Sequence, residues 1–228
     1  MYKAFGIVSS SGRNIYVDGM QDYRPIGAFS FLGRYRVIDF PISNMTNSNI
    51  ERIQVYINNK PRSVVEHLGT GRHYNINSKS GKLQLLFSEH NNDNDIYNTD
   101  IDNYYSNLEC IEAVHYPYVV IAPNYMIYTT DYSKLIDAHI ESGADVTMLY
   151  HSVDNAKENY LNCHILNLNR QKGVLSIEHN HGNAKNRNIF MDTYVMSKEL
   201  FISLIHKAKE ISSLYTLADV INAGCRDG

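Results

Sequence analysis

Residues Tyr118–Tyr150 read YVVIAPNYMIYTTDYSKLIDAHIESGADVTMLY, and their pattern indicates the fold class. Its first residues, 118–122, are an apolar run that predicts a buried strand. Segment 131–142 places its apolar residues on one side of a helix, and Gly143 follows as a C-terminal cap. A second strand is predicted over 145–150. This order indicates a right-handed crossover, and therefore a mainly parallel, doubly wound α/β sheet with helices on both faces.

The same alternation of apolar runs and helical segments covers the rest of the first half. Strands are predicted at 4–9 and 53–57, and helices at 63–68 and 103–114. The second half changes character. There the predicted elements are a hairpin of 161–168 with 173–177, a strand at 188–196, and helices at 198–211 and 217–223. We therefore expect one domain, 1–228, in which an antiparallel edge extends a parallel core.

Composition excludes several classes of protein. The 228 residues are 43% hydrophobic and carry a formal net charge of −3, so the chain has no broad basic field for nucleic acid. No apolar run reaches the roughly 20 residues of a bilayer span, and the first residues lack the order of a signal peptide. The three cysteines, Cys110, Cys163 and Cys225, are odd in number and far apart, which fits a reducing compartment. We expect a cytoplasmic protein without nucleic-acid or membrane partners.

The loop after the first strand, residues 9–14 with the sequence SSSGRN, is a candidate anion site. Successive backbone N–H groups beside an arginine can hold a phosphate. However, the loop has one glycine where a phosphate-binding loop has two or three, so a polar turn with a solvated Arg13 is the alternative. A second glycine pair, Gly69 and Gly71, is more typical of a helix C-cap and a turn.

Patterns for a metal or a nucleophile are weak. His179 and His181 flank Asn180 on a predicted turn without a nearby cysteine or carboxylate pattern, which disfavours zinc. An acidic, Asn-rich segment is either a solvated loop, which we favour, or a carboxylate cluster for magnesium. Its charged residues are Glu89, His90, Asp93, Asp95, Asp100 and Asp102. No G-x-S-x-G motif is present and no cysteine has a visible basic partner, so we predict neither a nucleophile nor a metal site.

The loop after the strand at 118–122 lacks an acid. In an open α/β sheet, ligands bind at the carboxyl ends of strands, where enzymes place catalytic or metal-binding carboxylates. Here the strand is followed by Asn124, Tyr125 and Met126. The sequence therefore predicts a loop with the position of an active-site loop and without its carboxylate.

Segment 24–50, RPIGAFSFLGRYRVIDFPISNMTNSNI, is the most specific text in the chain. It resembles the F-G-G-[KR]-[YF]-R-[LI]-I-D-F-x-L-S-N-x-x-N-S-G-I signature of the ADP-glucose pyrophosphorylase (glucose-1-phosphate adenylyltransferase) family. Residues 119–139 resemble that family's V-V-I-L-x-G-D-H-I-Y-K-x-D-Y-S-x-M-L-x-x-H. The resemblance spans nearly the whole chain and is looser in the last third. It implies a Rossmann-like nucleotide-diphospho-sugar transferase fold and the reaction of ATP with glucose 1-phosphate to ADP-glucose and diphosphate.

By this resemblance, the family's functional positions are replaced. The lysine of the Arg-Ala-Lys-Pro motif falls on Ile26, the metal-binding aspartate of Gly-Asp-His on Tyr125, and a second metal-binding aspartate on Tyr215. The loop 9–14 stands in place of the glycine-rich phosphate loop, and the Glu-Lys-Pro lysine that holds the sugar phosphate is not recognisable at 178–181. Adenylyl transfer depends on positioning and on cations that neutralise developing charge, so these losses imply an inactive site.

An intact scaffold around a dismantled site resembles the family's non-catalytic subunit, the second glycogen-biosynthesis subunit of Firmicutes. This implies a regulatory, catalytically silent chain without a magnesium cofactor, which pairs with the catalytic subunit in a hetero-oligomer. It also implies that Arg36, Asp39 and Asn44 serve the fold and the subunit contacts. The family's carboxyl-terminal left-handed β-helix is missing, so we expect an N-terminal domain fragment.

Two alternatives stay open. The first is an active sugar-phosphate nucleotidyltransferase with a rearranged site, in which Asp100 or Asp102 holds the metal. The second is a sensor that binds a nucleotide sugar or a phosphorylated effector without turning it over. The residues expected to contact such a nucleotide or anion are Ser10, Ser11, Gly12, Arg13 and Arg24.

Overall fold

The structure, a computed structural model, describes residues 4–10, 17–58, 60–69, 71, 74, 76, 81–87 and 98–227. The strands in this part of the chain are β1 (Ala4–Ser9), β2 (Ser30–Phe31), β3 (Tyr35–Arg36), β4 (Arg52–Ile57), β5 (Lys82–Phe87), β6 (Tyr118–Pro123), β7 (Val146–Val153), β8 (His164–Leu168), β9 (Val174–His179) and β10 (Arg187–Ser197). The helices are α1 (Asp39–Asn47), α2 (Arg62–Leu68), α3 (Asp100–Ser106), α4 (Leu108–Glu112), α5 (Tyr132–Ser142), α6 (Lys198–Ile211) and α7 (Leu217–Asp227). A short 3-10 turn covers Ile26–Ala28.

Eight strands form one mixed sheet in the order β5-β4-β1-β6-β10-β8-β9, with β7 also paired to β10. Strands β5, β4, β1 and β6 are parallel, whereas β10 runs antiparallel to β6, β7 and β8. The register of β10 shifts between Phe190 and Thr193. Its second half pairs with β6 and its first half with β8. The prediction of a parallel core with an antiparallel extension is confirmed.

Helices cover both faces of the sheet, because buried strand residues alternate between two hydrophobic clusters. On β1, Phe5 and Ile7 pack with residues of α3, α4, α6 and α7. Ala4 and Val8 point to the other face and pack with residues of α1, α2 and α5. A fully buried Ile or Phe contributes about 1.5–3 kcal/mol by removing apolar area from water, so these two layers hold the sheet in place. The predicted α/β class is confirmed.

The ends of α5 follow from its sequence. Asp131 precedes the helix, and its carboxylate accepts a hydrogen bond from the Ser133 N–H at 3.0 Å, which satisfies one of the free donors of the first turn. Gly143 ends the helix in the left-handed conformation, with φ of 63°. Gly69 ends α2 with a positive φ of 50° but a different ψ of −121°. Both glycines are caps, as predicted.

Polar contacts fix the segment that carries the family resemblance. Asp39 accepts hydrogen bonds from the Arg36 N–H at 2.8 Å and from Tyr74 Oη at 2.5 Å, and its Oδ1 lies 2.6 Å from His67 Nε2. The Arg36 guanidinium donates to Ala28 O at 2.5 Å. These bonds join the 3-10 turn, the hairpin β2–β3, α1 and α2. Arg36 and Asp39 therefore build the fold, as the resemblance implies.

Some predicted elements differ from the structure. The helix expected at 103–114 is two helices, since Asn107 leaves the helical conformation with φ of −118° and ψ of 25°. The strand expected from Leu161 begins at His164, and α7 continues to Asp227. The sequence does not predict β5, the hairpin β2–β3 or α1.

No helix in the described residues is both long and apolar enough to span a bilayer. The three cysteines are free and half-buried. Burial raises the pKa of the Cys163 thiol, with a further contribution from the charge of Asp192, and burial also raises the pKa of Cys225. Both are therefore thiols rather than reactive thiolates near neutral pH.

Candidate functional site

The carboxyl ends of β1 and β6 meet at one edge of the sheet. The Asn124 N–H donates to Ser9 O at 2.9 Å and continues the pairing of the two strands beyond their last residues. Asn124 is buried, and a Cβ on Gly27 would lie 3.3 Å from its Nδ2. The 3-10 turn with Ile26 therefore closes against this edge, and the missing side chain of Gly27 leaves room for Asn124.

Tyr125 follows β6 and reaches across to β10. Its hydroxyl donates to Asp192 Oδ2, and Asp192 Oδ1 lies 3.0 Å from Nδ1 of His164 at the start of β8. We call these three residues the Tyr125 cluster. Asp192 lies in the register shift of β10 with φ of 43°, a left-handed conformation that is uncommon outside glycine. Both oxygens of its carboxylate are engaged within the protein.

The Tyr125 cluster combines a neutral phenol with an imidazole surrounded by acids. Burial raises the pKa of Tyr125 well above its ordinary value, and the charge and hydrogen bond of Asp192 raise it further. Burial lowers the pKa of His164, but the hydrogen bond and charge of Asp192, followed by the charges of Asp219 and Asp100, raise it by more, so the net shift is upward. Three carboxylates thus act on one imidazole. This local charge is unfavourable for the phosphate groups of a nucleotide.

Next to the Tyr125 cluster, the hydroxyl groups of Tyr128, Tyr132 and Thr193 are linked by hydrogen bonds. Tyr128 Oη lies 2.5 Å from Oγ1 of the buried Thr193 and 3.1 Å from Tyr132 Oη. Asn44 Nδ2 donates to Tyr128 O at 2.8 Å. Burial raises the pKa of Tyr128, which keeps this hydroxyl neutral. The loop after β6 is therefore tied to β10 and to α1, and Asn44 has the fold-building role that the resemblance implies.

Asp100 and Asp102, the metal ligands of the rearranged-site alternative, make structural contacts. Asp100 is buried, and its carboxylate accepts hydrogen bonds from the N–H of Ile101 at 2.9 Å and of Leu217 at 3.2 and 3.3 Å. It caps the first turn of α7. Asp102 Oδ1 pairs with Lys209 Nζ at 2.8 Å, which joins α3 to α6. These contacts favour a structural role for both acids.

The residues expected to bind an anion are only partly described. Ser11, Gly12 and Arg13 lie outside the described residues. Ser10 follows β1 directly, and its buried Oγ has no hydrogen-bond partner within the part of the chain that the structure describes. Arg24 is exposed, two residues before the 3-10 turn. Ser10 thus lies at the edge of the sheet where the carboxyl ends of β1 and β6 meet, whereas Arg24 lies on the surface.

The two other positions that the resemblance assigns to family catalysis hold residues without a charged side chain. Ile26 opens the 3-10 turn and is partly buried. Tyr215 lies in the turn before α7 and packs against the hydrophobic cluster that contains Phe201. Neither side chain can supply the charge that a lysine or an aspartate would bring.

Two further histidines lie in a row with His164 of the Tyr125 cluster. The ring centroids of His164 and His179 are 4.7 Å apart, and those of His179 and His181 are 6.4 Å apart. Across the residues with a described placement, no group of three or more His, Cys, Asp or Glu is arranged to hold a metal ion. Four candidates of the acidic segment lie outside the described residues, namely Glu89, His90, Asp93 and Asp95.

The sequence does not predict the roles of Asp192 and His164, which both lie in or beside predicted strands. A lone aspartate in the apolar strand 188–196 is the one signal that could mark the site, because a charged residue is rarely buried without a partner. Its partners cannot be read from the sequence, since His164 and Tyr125 are 28 and 67 positions away.

Sequence comparison identifies relatives of the chain. The Nucleotidyl transferase family model matches residues 23–220. A glucose-1-phosphate adenylyltransferase of Roseobacter denitrificans is 36% identical over 146 residues, covering 64% of this chain and 34% of that protein. A glucose-1-phosphate adenylyltransferase of Clostridium perfringens (strain SM101) is 30% identical over 171 residues, covering 75% and 44%. The glycogen biosynthesis protein GlgD of Geobacillus stearothermophilus is 30% identical over 155 residues, covering 65% and 44%.

A solved structure shares the fold. A Bacillus anthracis chain described as a glucose-1-phosphate thymidylyltransferase superposes on 100% of this chain and 84% of its own length, with a TM-score of 0.70 and 14% identity. The chain spans 34–44% of the length of the three sequence relatives. On the family match over 23–220 and these relatives, the chain belongs to the nucleotidyl transferase family and is related to the glucose-1-phosphate adenylyltransferases.

Proposed function

We propose that the chain is the nucleotidyltransferase-like domain of a regulatory, catalytically silent subunit of glucose-1-phosphate adenylyltransferase. In this proposal it acts in the cytoplasm, in glycogen biosynthesis, and raises the activity of a catalytic partner chain within a hetero-oligomer. The partner carries out the family reaction, which forms ADP-glucose and diphosphate from ATP and glucose 1-phosphate. Similarity to a relative named as a glycogen biosynthesis protein supports the process.

The observation that carries this proposal is the Tyr125 cluster. Tyr125 stands where the resemblance assigns a metal-binding aspartate, and its hydroxyl is bonded to Asp192. A neutral phenol neither attracts a divalent cation as a carboxylate does nor offsets the negative charge that develops on a transferring phosphoryl group. His164 engages the other oxygen of Asp192. Side-chain contacts therefore occupy the edge of the sheet where the chemistry of an adenylyltransferase is expected.

The residues at this edge do not fit magnesium. Mg²⁺ requires near-octahedral oxygen ligands, usually one or two free carboxylates together with phosphate and water. Both oxygens of Asp192 already have partners, and the carboxylate of Asp100 caps α7. A cation would have to replace these contacts. We therefore propose that this chain uses no magnesium, and we assign no catalytic step to its residues.

The scaffold contacts support a role through assembly. Asp39 and Arg36 hold the hairpin and α1 together, and Asn44 holds the loop after β6. A silent subunit needs a stable fold and a surface for its partner, but it does not need cationic or metal-binding groups. This chain has the scaffold contacts of Arg36, Asp39 and Asn44, and it lacks the charged side chains of the family's catalytic positions, which fits that requirement.

The test measures ADP-glucose formation from ATP, glucose 1-phosphate and magnesium. The full-length protein is assayed alone, and then with the catalytic adenylyltransferase chain of the same organism. We expect no turnover by the protein alone and a raised rate in the mixture. Tyr125→Phe is the matched variant, because it removes the hydroxyl and keeps the ring; it should be equally silent alone and equally stimulating in the mixture. Turnover by the protein alone, or a mixture no faster than the catalytic chain, would overturn the proposal.

A second candidate function is a sensor of a nucleotide sugar or phosphorylated effector. The observation that favours it is Ser10, whose buried hydroxyl at the carboxyl edge has no partner within the described residues. A ligand at about 100 times its Kd stabilises the folded state by roughly 2.7 kcal/mol, which a melting curve detects. Melting curves with ATP, ADP-glucose, glucose 1-phosphate and a sugar bisphosphate therefore test the idea. Unchanged melting with all four would reject the sensor and leave the regulatory proposal untouched.

A further inference from the structure

A polar groove lies at the start of β10, away from the Tyr125 cluster. It has a volume of about 570 Å³ and is bounded by the end of β7, the loop that follows β7 and residues 186–188. The lining residues that matter here are His151, Asp154, Tyr160, Asn186, Arg187 and Asn188. This volume falls in the usual range of small-molecule sites. Neither the family resemblance nor the regulatory proposal gives the groove a role.

Tyr160 is held in an unusual conformation at the groove. Its φ is 58°, which is a genuine outlier for a bulky residue, and 44% of its surface is exposed. The buried Asn180 fixes the loop by donating from Nδ2 to Ala156 O at 2.8 Å and to Tyr160 O at 3.0 Å. Backbone strain that the surrounding structure enforces is concentrated at functional sites. The backbone of the loop is therefore held in place, and the partly exposed Tyr160 lies at the groove.

The polar lining is balanced in charge and rich in neutral hydrogen-bonding groups. Arg187 is the one cation and Asp154 the one carboxylate among the lining residues. Arg187 lines the groove, and its buried Nε has no hydrogen-bond partner among the described residues. Ser152 Oγ donates to Asn188 Oδ1 at 2.8 Å, which orients that amide. Amide groups both donate and accept hydrogen bonds.

We propose that this groove binds a neutral saccharide, such as a short glucose oligomer. Sugar hydroxyls both donate and accept, which matches the amides, the carboxylate and the guanidinium of the lining. The apolar C–H face of a sugar ring packs on an exposed aromatic ring, which Tyr160 supplies. A nucleotide or sugar phosphate fits less well, because the charge of Asp154 opposes that of Arg187. This inference goes beyond the regulatory proposal and uses none of the residues of the Tyr125 cluster.

The test is ligand-observed NMR by saturation transfer, with maltotriose as the probe and the full-length protein. Maltotriose at about 10 mM would populate a site with a millimolar Kd. Tyr160→Gly removes the ring while glycine accepts the positive φ, so the variant should fold at least as well as the wild type. We expect its maltotriose affinity to fall by roughly tenfold. Tyr23→Ala, at a tyrosine that is 81% exposed and lies outside the groove, should bind as the wild type does.

A second variant tests the polar lining of the groove, and a second ligand tests its preference for a neutral sugar over a sugar phosphate. Arg187→Gln keeps a hydrogen-bonding side chain and removes the positive charge from the lining, and it should weaken maltotriose binding in a protein that still unfolds cooperatively. Glucose 1-phosphate should bind no more tightly than maltotriose. The proposal is wrong if the wild type shows no transfer to maltotriose, if Tyr160→Gly binds it unchanged, or if glucose 1-phosphate displaces it at lower concentration.

Discussion

Replacing Tyr125 with Phe tests whether its hydroxyl stabilises the fold. The hydroxyl donates to the carboxylate of Asp192 in a partly buried setting. A hydrogen bond to a charged group contributes about 1.5–3 kcal/mol, and Tyr125→Phe retains the packing of the ring. We therefore expect the free energy of unfolding to fall by about 2 kcal/mol.

Urea unfolding near neutral pH measures this change directly. The midpoint should fall while the slope m stays unchanged, because the variant exposes the same surface on unfolding. At about 2.1 cal/mol/K per residue, a chain of 228 residues has an unfolding entropy near 0.5 kcal/mol/K. A loss of about 2 kcal/mol should therefore lower the melting temperature by about 4 °C.

Tyr23→Phe is the matched control, because Tyr23 is 81% exposed. It should change the free energy of unfolding by no more than about 0.5 kcal/mol. The double variant Tyr125→Phe with Asp192→Asn should be less destabilised than the sum of the two single variants, since each removes one end of the same bond. Equal stability of Tyr125→Phe and Tyr23→Phe would refute the structural role of the hydroxyl.

Three further predictions concern the same edge of the sheet. The pKa of His164 is raised in the folded state. The wild type should therefore be more stable than His164→Gln below about pH 6.5, and this difference should be lost as the pH rises through the folded pKa. Urea unfolding of both proteins at about pH 6 and pH 9 measures the difference. Tyr125→Asp should not create ADP-glucose synthesis, and it should destabilise the protein by about 2 kcal/mol or more, because it places a second carboxylate beside Asp192. Asp100→Ala should lower the free energy of unfolding by about 1–3 kcal/mol, because it leaves the buried Leu217 N–H without its acceptor.

Controls for these variants come from exposed residues of the same type. His115→Gln, at an exposed histidine, should match the wild type in stability. Asp18→Ala, at an exposed aspartate, should be neutral. A His164→Gln difference that grows with pH would contradict the charge arrangement at Asp192. ADP-glucose formation by Tyr125→Asp alone would mean that one lost carboxylate accounts for the inactivity.

The elements that follow local rules are predictable from the sequence. Strands β1 and β6 are continuous apolar runs, and the cap residues Asp131 and Gly143 mark the ends of α5. Helix α1 is different. Pro41 within its first turn argues against a helix, yet proline is tolerated there because the first N–H groups have no partner inside the helix. Its structure is set by tertiary contacts of Asp39 and Asn44.

The candidate site is less predictable, because its contacts join distant parts of the chain. The position of Tyr125 after β6 and its lack of charge can be read from the sequence. The engagement of Tyr125 with Asp192 depends on a register shift within β10, and no local pattern marks that shift. The role of Asp100 as a cap likewise depends on Leu217, 117 positions away. Periodicity predicts which face of an element is buried, but not which polar groups meet across strands.

The position of β10 between the two halves of the sheet has a consequence for synthesis on the ribosome. Strand β6 is complete once Pro123 has been made, but the residues of β10 that pair with its free edge begin roughly 70 residues later, at Tyr194. At about 5–20 residues per second, the nascent chain carries an unpaired strand edge for roughly 3.5–14 s. During this interval the edge of β6 can pair with other chains, so the yield of folded protein should depend on protection of the nascent chain as well as on the final stability of the sheet.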